Sequence, residues 1–279
     1  MDNNYLNTDD IINWINEWSI NNPEPLKSDI EQFARALNEK MLKLDYKVTN
    51  GGTVIGYAGK LDDGGTGIFK TVENLTKNSN EAYCFINNAA DNILNDDKFN
   101  IALNEAVGPK SAGYILGGAW NGDTRSKYSF GDTLSLNDLV SDNFMKNNAK
   151  GDVYLLIADN ARMDSTLNVT EIERLLTMDE VKTINGIDKS VLANMSSTER
   201  FNLLKEQSVI DMMNANIYRG PNGTEILSFK GTKYEDIFKT NIPVDYTNVG
   251  SYADRAFLSN DQLFSKYSFL NSSVSQSIL

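Results

Sequence analysis

The first 45 residues carry hydrophobic side chains with the spacing of two helices. In the first helix the large apolar side chains recur every three or four positions, at Ile11, Ile12, Trp14, Ile15 and Trp18. The second helix has a similar stripe, formed by Ile30, Phe33, Ala34, Leu37, Met41 and Leu44. Pro23 and Pro25 separate the stripes, and proline ends a helix because it lacks a backbone N–H. Residues 1–45 are therefore predicted to form a helical hairpin, and its two tryptophans are predicted to pack in the core in preference to stacking on a ligand.

The pattern becomes less regular after residue 45. Residues 46–150 are predicted to mix short strands near 46–57 with helices over 70–106. Residues 151–279 are predicted to form an α/β portion, because residues 153–158 are apolar throughout, as in a strand that is buried on both faces. Thr170 is predicted to cap a helix that follows it. The predicted fold class is α/β, with a mixed sheet flanked by helices and a helical hairpin at the N-terminus.

Residues 216–229 have the pattern of a β-hairpin. The turn, residues 220–223, reads Gly-Pro-Asn-Gly and contains residues that tolerate a positive φ. The second strand, residues 225–229, is mostly apolar and is predicted to be buried on both faces. Gly231 and Thr232 then end the strand, and the acidic pair Glu235 and Asp236 favours the start of a helix. In α/β proteins, backbone N–H groups often face a ligand at the end of such a strand.

This stretch, residues 216–239, resembles the early hairpin and oxyanion strand of lipase-like α/β-hydrolases of the fungal-lipase type. In that family the strand ends in Phe-Arg-Gly-Thr or Phe-Arg-Gly-Ser, and this chain has Phe-Lys-Gly-Thr at 229–232 followed by Asp-Ile-Phe at 236–238. The resemblance implies that Thr232 is the oxyanion-hole residue and that the activity is carboxylic-ester hydrolysis. It also implies a relation to large secreted bacterial proteins.

The absence of histidine limits the chemistry of the chain. All 279 residues contain no histidine, so Ser-His-Asp catalysis and histidine-ligated zinc are excluded within the chain. The Gly-x-Ser-x-Gly elbow that follows the oxyanion strand in the lipase family is also missing. With these departures, the resemblance implies that the chain is either the N-terminal portion of a larger hydrolase or a protein that has lost catalysis, and that it is inactive alone. Its partner would be the remainder of a longer chain or a separate protein.

Charge and cysteine content add further limits. A net charge of −12 argues against nucleic-acid partners. Cys84 is the single cysteine and lies in an apolar segment, which predicts an inert buried thiol. The start of the chain is polar and acidic, and no apolar run is long enough to span a membrane, so neither a cleavable signal peptide nor a transmembrane segment is predicted. Secretion without such a signal and a cytoplasmic location both remain open.

Two places carry candidate ligand-binding carboxylates. Asp62 and Asp63 precede a glycine-rich run whose composition could form a calcium loop, but the run lacks the ligand spacing of an EF-hand, so a plain turn is favoured. Asp159 directly follows the buried strand over 153–158, where it could serve a site or cap the next turn. No other cofactor is predicted.

Other functional classes remain possible. Tyr218-Arg219-Gly220 resembles the arginine strand of ADP-ribosyltransferase toxins, and Phe257-Leu258-Ser259 resembles their serine strand. The Glu-x-Glu motif of that family is missing after Ser259. A glycosidase with a carboxylate pair needs no histidine, but no spacing singles out two carboxylates. The main alternative is a non-catalytic binding or scaffolding module of a secreted bacterial protein.

Overall fold

A computed structural model describes residues 5–47, 53–61, 66–77, 82–83, 93–117, 128–130 and 133–255. The α-helices among them are α1 (Thr8–Asn21), α2 (Lys27–Met41), α3 (Ile68–Lys77), α4 (Asp97–Val107), α5 (Pro109–Leu116), α6 (Leu136–Asn148), α7 (Glu173–Thr177), α8 (Lys189–Ala193), α9 (Ser197–Met212) and α10 (Tyr252–Arg255). A π-helix, Leu167–Ile172, leads directly into α7.

The strands are β1 (Thr53–Ala58), β2 (Ala82–Tyr83), β3 (Tyr128–Phe130), β4 (Thr133–Leu134), β5 (Gly151–Ile157), β6 (Val181–Ile184), β7 (Ile187–Asp188), β8 (Asn216–Arg219), β9 (Glu225–Ser228) and β10 (Thr247–Ser251). Five of them form a mixed sheet in the order β2-β1-β5-β6-β7. All neighbours in this sheet are parallel except β6 and β7. The predicted class, an α/β fold with a mixed sheet and an N-terminal helix pair, is therefore confirmed.

The central pair of strands, β1 and β5, separates two hydrophobic cores. Side chains alternate between the faces of a strand, so Val153 and Leu155 enter the first core whereas Leu156 and Ala158 enter the second. The first core also includes side chains of α1, α2, α4 and α6, and the second includes side chains of α3 and of the hairpin β8–β9. The division of the chain at residues 45 and 150 stays a prediction, although the first core draws on all three segments.

The two N-terminal helices meet through an aromatic contact. The Trp14 ring stacks on Phe33 with centroids 5.2 Å apart, and Trp18 lies 4.6 Å from the same ring. Asn7 is the N-cap of α1, and its side chain accepts the Asp10 N–H, so the cap lies before the acidic residues of the first turn. Both tryptophans are half-buried and pack against the first core.

Along the part of β5 that extends past the end of β6, side chains form the hydrogen bonds to the strand backbone. The Asn185 amide accepts the Leu155 N–H at 2.6 Å and donates to the Leu155 carbonyl at 3.0 Å. Farther along, the Ser208 hydroxyl accepts the Ile157 N–H at 2.7 Å. Asn185 and Gly186 form the two-residue turn between β6 and β7, with φ values of 51° and 77°. Asparagine and glycine are the residues that such a turn favours, and this turn aims the Asn185 amide at β5.

The predicted helix after Thr170 begins differently. Thr170 lies inside the π-helix, and its hydroxyl donates to the buried Asp138 carboxylate at 2.9 Å. Asp138 also accepts the Ser135 hydroxyl at 2.5 Å. The prediction that Thr170 caps the helix is therefore wrong, because its hydroxyl serves a buried carboxylate on α6.

Candidate functional site

The segment that resembles the lipase family forms a hairpin, as predicted. β8 and β9 pair antiparallel from Asn216↔Ser228 to Arg219↔Glu225. The turn closes through a hydrogen bond from the Gly223 N–H to the Gly220 carbonyl at 2.9 Å, and Gly223 has a φ of 81°. All four residues of β9 are buried. The predictions of the hairpin and of its doubly buried second strand are therefore confirmed.

Thr232 lies in a tight turn directly after this strand. Its N–H donates to the Phe229 carbonyl at 3.0 Å, and its hydroxyl donates to the same oxygen at 2.7 Å. Gly231 has a φ of 83°, a conformation that favours glycine, and its N–H donates to the Glu235 carboxylate at 2.9 Å. An oxyanion at this turn would have to compete with these internal hydrogen bonds.

The predicted helix start at Glu235 and Asp236 is absent among the described residues, since residues 232–238 form successive turns. The Glu235 carboxylate closes the Gly231 turn. Phe238 packs into the second core and contacts the ring of Phe229 at 4.8 Å between centroids. The prediction of a helix rested only on the charge of the acidic pair. The backbone takes a different conformation because the Glu235 carboxylate bonds to the Gly231 N–H.

Tyr234 and Asp211 anchor the turn to the end of α9. The Tyr234 hydroxyl donates to the Asp211 carboxylate at 2.5 Å, and Lys233 and Gln207 contact the same carboxylate at 3.0 and 2.9 Å. Burial is the main cause, and this hydrogen bond the second, of a Tyr234 pKa well above its usual range. The Tyr234 ring also packs edge-on against Tyr154 of β5. The residues therefore hold the position of the turn, and no sequence spacing pointed to Asp211.

The outer edge of β9 is bordered by threonine hydroxyls. Thr66 and Thr71 accept the N–H groups of Glu225 and Leu227 at 3.1 and 3.0 Å. Thr240 donates to the Leu227 carbonyl at 3.3 Å. The Thr232 hydroxyl donates to the Phe229 carbonyl. Together, these side chains take the hydrogen-bonding positions that a neighbouring strand would use.

The other arginine and carboxylate candidates take structural positions. Arg219 forms an ion pair with Glu225, with 2.6 Å between Nε and Oε1, and the Glu225 side chain is buried. Asp159 lies in the turn after β5, where its backbone contacts the Tyr252 hydroxyl. Burial raises the pKa of Tyr252 to about 12. Asp62, Asp63, Cys84 and residues 257–259 lie outside the described residues.

The carboxyl ends of β1 and β5 form the place where open α/β sheets usually bind ligands. β1 connects through α3 to β2 on one side, and β5 connects through the π-helix and α7 to β6 on the other. Here the Asn160 side chain accepts the Lys60 N–H at 2.9 Å. A Cβ on Gly59 would lie 2.8 Å from both Ala158 and Asn160. The crevice is therefore bridged by the protein's own groups.

Two further properties bear on the class of site. Among the residues that the structure describes, cysteine, aspartate and glutamate side chains do not gather in threes that could hold a metal ion. Over the same residues, each helix is too short or too polar to cross a membrane.

The chain matches no protein-family model, no curated protein and no solved structure. The resemblance of residues 216–239 to the lipase family therefore rests on the residues themselves.

Proposed function

We propose that this chain is the N-terminal portion of a secreted lipase-like ester hydrolase and is not catalytically competent alone. The observation that supports the proposal is the local structure of residues 216–232. The second strand of the hairpin is fully buried. It is followed by Gly231, which has a positive φ, and then by Thr232. This is the backbone arrangement that can present N–H donors at the end of a strand.

The missing parts would come from outside these 279 residues. The chain has no histidine to act as a general base. β9 is an edge strand of its three-stranded sheet, so the next strand of a hydrolase would bind along its outer edge. That strand would displace Thr66, Thr71 and Thr240 from the β9 backbone, and we propose that the Thr232 donors turn towards the substrate in the assembled enzyme.

The experiment combines the intact mass of the natural product with turnover of p-nitrophenyl butyrate. We expect a natural chain longer than 279 residues that hydrolyses the ester, whereas residues 1–279 alone show no turnover. In the longer chain, Thr232→Val should lower kcat by about 100-fold if the hydroxyl stabilises the oxyanion. The matched control is Thr177→Val, because that exposed hydroxyl donates only to the Arg174 carbonyl. A natural product that ends at Leu279 and shows no turnover would overturn the proposal.

A second candidate is a non-catalytic binding or scaffolding module. It is favoured by the internal bonding of Thr232, whose N–H and hydroxyl both donate to the Phe229 carbonyl. On this hypothesis Thr232 is a turn residue only. Thr232→Val would then change stability without changing any activity of the longer product.

A further inference from the structure

A groove of about 440 Å³ lies between the N-terminal segment, α1 and α2. Its size is within the range of small-molecule sites. The side chains that matter for its chemistry are Tyr5, Asp10, Asn13, Trp14, Glu17 and Lys40. Trp14 in the groove packs against the first core, whereas Phe229 and Tyr234, on either side of Thr232 in the sequence, belong to the second.

The groove follows from the sequence of α1. Positions 10, 13, 14 and 17 fall on one face of a helix, so their side chains form a continuous stripe. Asp10 and Glu17 lie about 10 Å apart along the helix axis, and Trp14 lies between them. On the other side, the Leu6 N–H donates to the Lys43 carbonyl at 3.0 Å and holds the N-terminal segment against the end of α2.

Trp14 is held in place as the aromatic wall of the groove. Its ring stacks almost parallel on Phe33, at an angle of 11°. The Lys40 ammonium lies over the Trp14 ring, 4.9 Å from its centroid. An aromatic face attracts a cation through its quadrupole. The protein's own lysine therefore already occupies the position that a cationic ligand would take.

The two carboxylates of the groove, Asp10 and Glu17, differ in their contacts. Asp10 accepts the Asn7 N–H at 2.9 Å as part of the helix cap. Glu17 is exposed and farther along α1, so it can contact a ligand without any cost to the cap. Two carboxylates against one lysine leave the groove net negative, in a chain of net charge −12. This charge balance favours a cation and disfavours an anion.

We propose that this groove binds an alkylammonium group, that is, a primary ammonium on an apolar stem. The ammonium takes the place of Lys40 over Trp14 and pairs with Glu17, and the stem packs along the indole. The ligand is either a free amine or a lysine side chain of a peptide, since both have this chemistry. The site does not rest on the proposed hydrolase function, and each can fail without the other.

The test follows the indole N–H signals of the three tryptophans by NMR, with Trp14→Phe identifying the Trp14 signal. The probes are n-pentylammonium as the free amine and Nα-acetyl-lysine N-methylamide as the lysine side chain. Pentan-1-ol is the uncharged control. We expect saturable shifts of the Trp14 signal with either or both cations and none with the alcohol. Binding of only one cation identifies the source of the ligand.

Two variants make the test specific to this geometry. Glu17→Gln should weaken binding by about threefold or more, whereas Glu24→Gln makes the same charge change outside the groove and should leave it unaltered. Lys40→Met should strengthen binding by about threefold, because the competing ammonium is removed from Trp14. The proposal is overturned if the alcohol binds as well as the cations, if neither cation binds, or if Lys40→Met leaves binding unchanged or weaker.

Discussion

The edges of β5 and β9 show two ways of satisfying strand backbone with side chains. At β5 one residue, Asn185, binds both the N–H and the carbonyl of Leu155, and Ser208 binds the Ile157 N–H, with distances of 2.6 to 3.0 Å. At β9 three threonines from two separate segments bind at 3.0 to 3.3 Å. The β5 edge is thus closed by the turn between β6 and β7 of its own sheet and by α9, whereas the β9 edge is closed by three threonines from outside its sheet.

The largest expected effect of breaking this comparison is at Asn185. Asn185→Ala leaves the buried N–H and carbonyl of Leu155 without partners and also places alanine at a positive φ. We expect a loss of about 3 kcal/mol in the free energy of unfolding, measured by urea denaturation. Asn185→Gly is the control, because glycine tolerates the φ and isolates the cost of the lost hydrogen bonds. A variant as stable as the wild type would show that this edge is not held by the amide.

A matched pair of hydroxyl deletions compares the edges directly. Ser208→Ala leaves the Ile157 N–H unpaired, and Thr71→Val does the same for the Leu227 N–H; both N–H groups belong to fully buried residues. Each change should cost about 1.5 kcal/mol in residues 1–279. The control is Thr76→Val on α3, whose hydroxyl donates to a carbonyl of its own helix.

The same two variants, Ser208→Ala and Thr71→Val, can be compared in a longer natural product. If a further strand binds along β9, the Leu227 N–H no longer needs Thr71, so Thr71→Val should become nearly neutral while Ser208→Ala keeps its cost. Equal costs of Thr71→Val in both chains would mean that the β9 edge stays closed by α3. That outcome would count against the hydrolase proposal and favour the binding module.

The smallest effect is expected at Thr240. Its hydroxyl lies 3.3 Å from both the Leu227 and the Phe238 carbonyl, so neither hydrogen bond is strong. Thr240→Val should change the free energy of unfolding by less than about 0.5 kcal/mol. A cost as large as that of Thr71→Val would mean that the carbonyl side of this edge is as important as the N–H side.

The elements that the sequence predicted well are those whose pattern is local. The helix pair α1–α2, the buried strand β5 and the hairpin β8–β9 each follow from the spacing of nearby apolar residues or from a short turn. The missed features depend on partners far along the chain. Thr170 meets Asp138, and Ser208 meets Ile157, through contacts that no periodicity encodes. The helix predicted after Thr232 failed because Glu235 bonds locally to Gly231.

The candidate sites divide in the same way. Thr232 was found because its residues form a short contiguous motif, but the internal bonding of its N–H and hydroxyl depends on the conformation of the turn. The groove gave no motif. Trp14 was interpreted as a core residue from its helical spacing, and one face of its ring does pack on Phe33. The contact of the same ring with the Lys40 ammonium depends on how α2 lies beside α1.

The pairing of β1 with β5 has a consequence for synthesis of the protein. The register joins Ile55 to Tyr154, and ribosomes add about 5 to 20 residues per second. The partner of β1 therefore emerges roughly 5 to 20 seconds after β1 itself. During that interval Val54 and Ile55, which are fully buried in the finished protein, have no β5 to cover them. Binding by a chaperone in this time window would protect the nascent chain. The packing of α1 against α2 is the first contact between two helices or strands that the nascent chain can form.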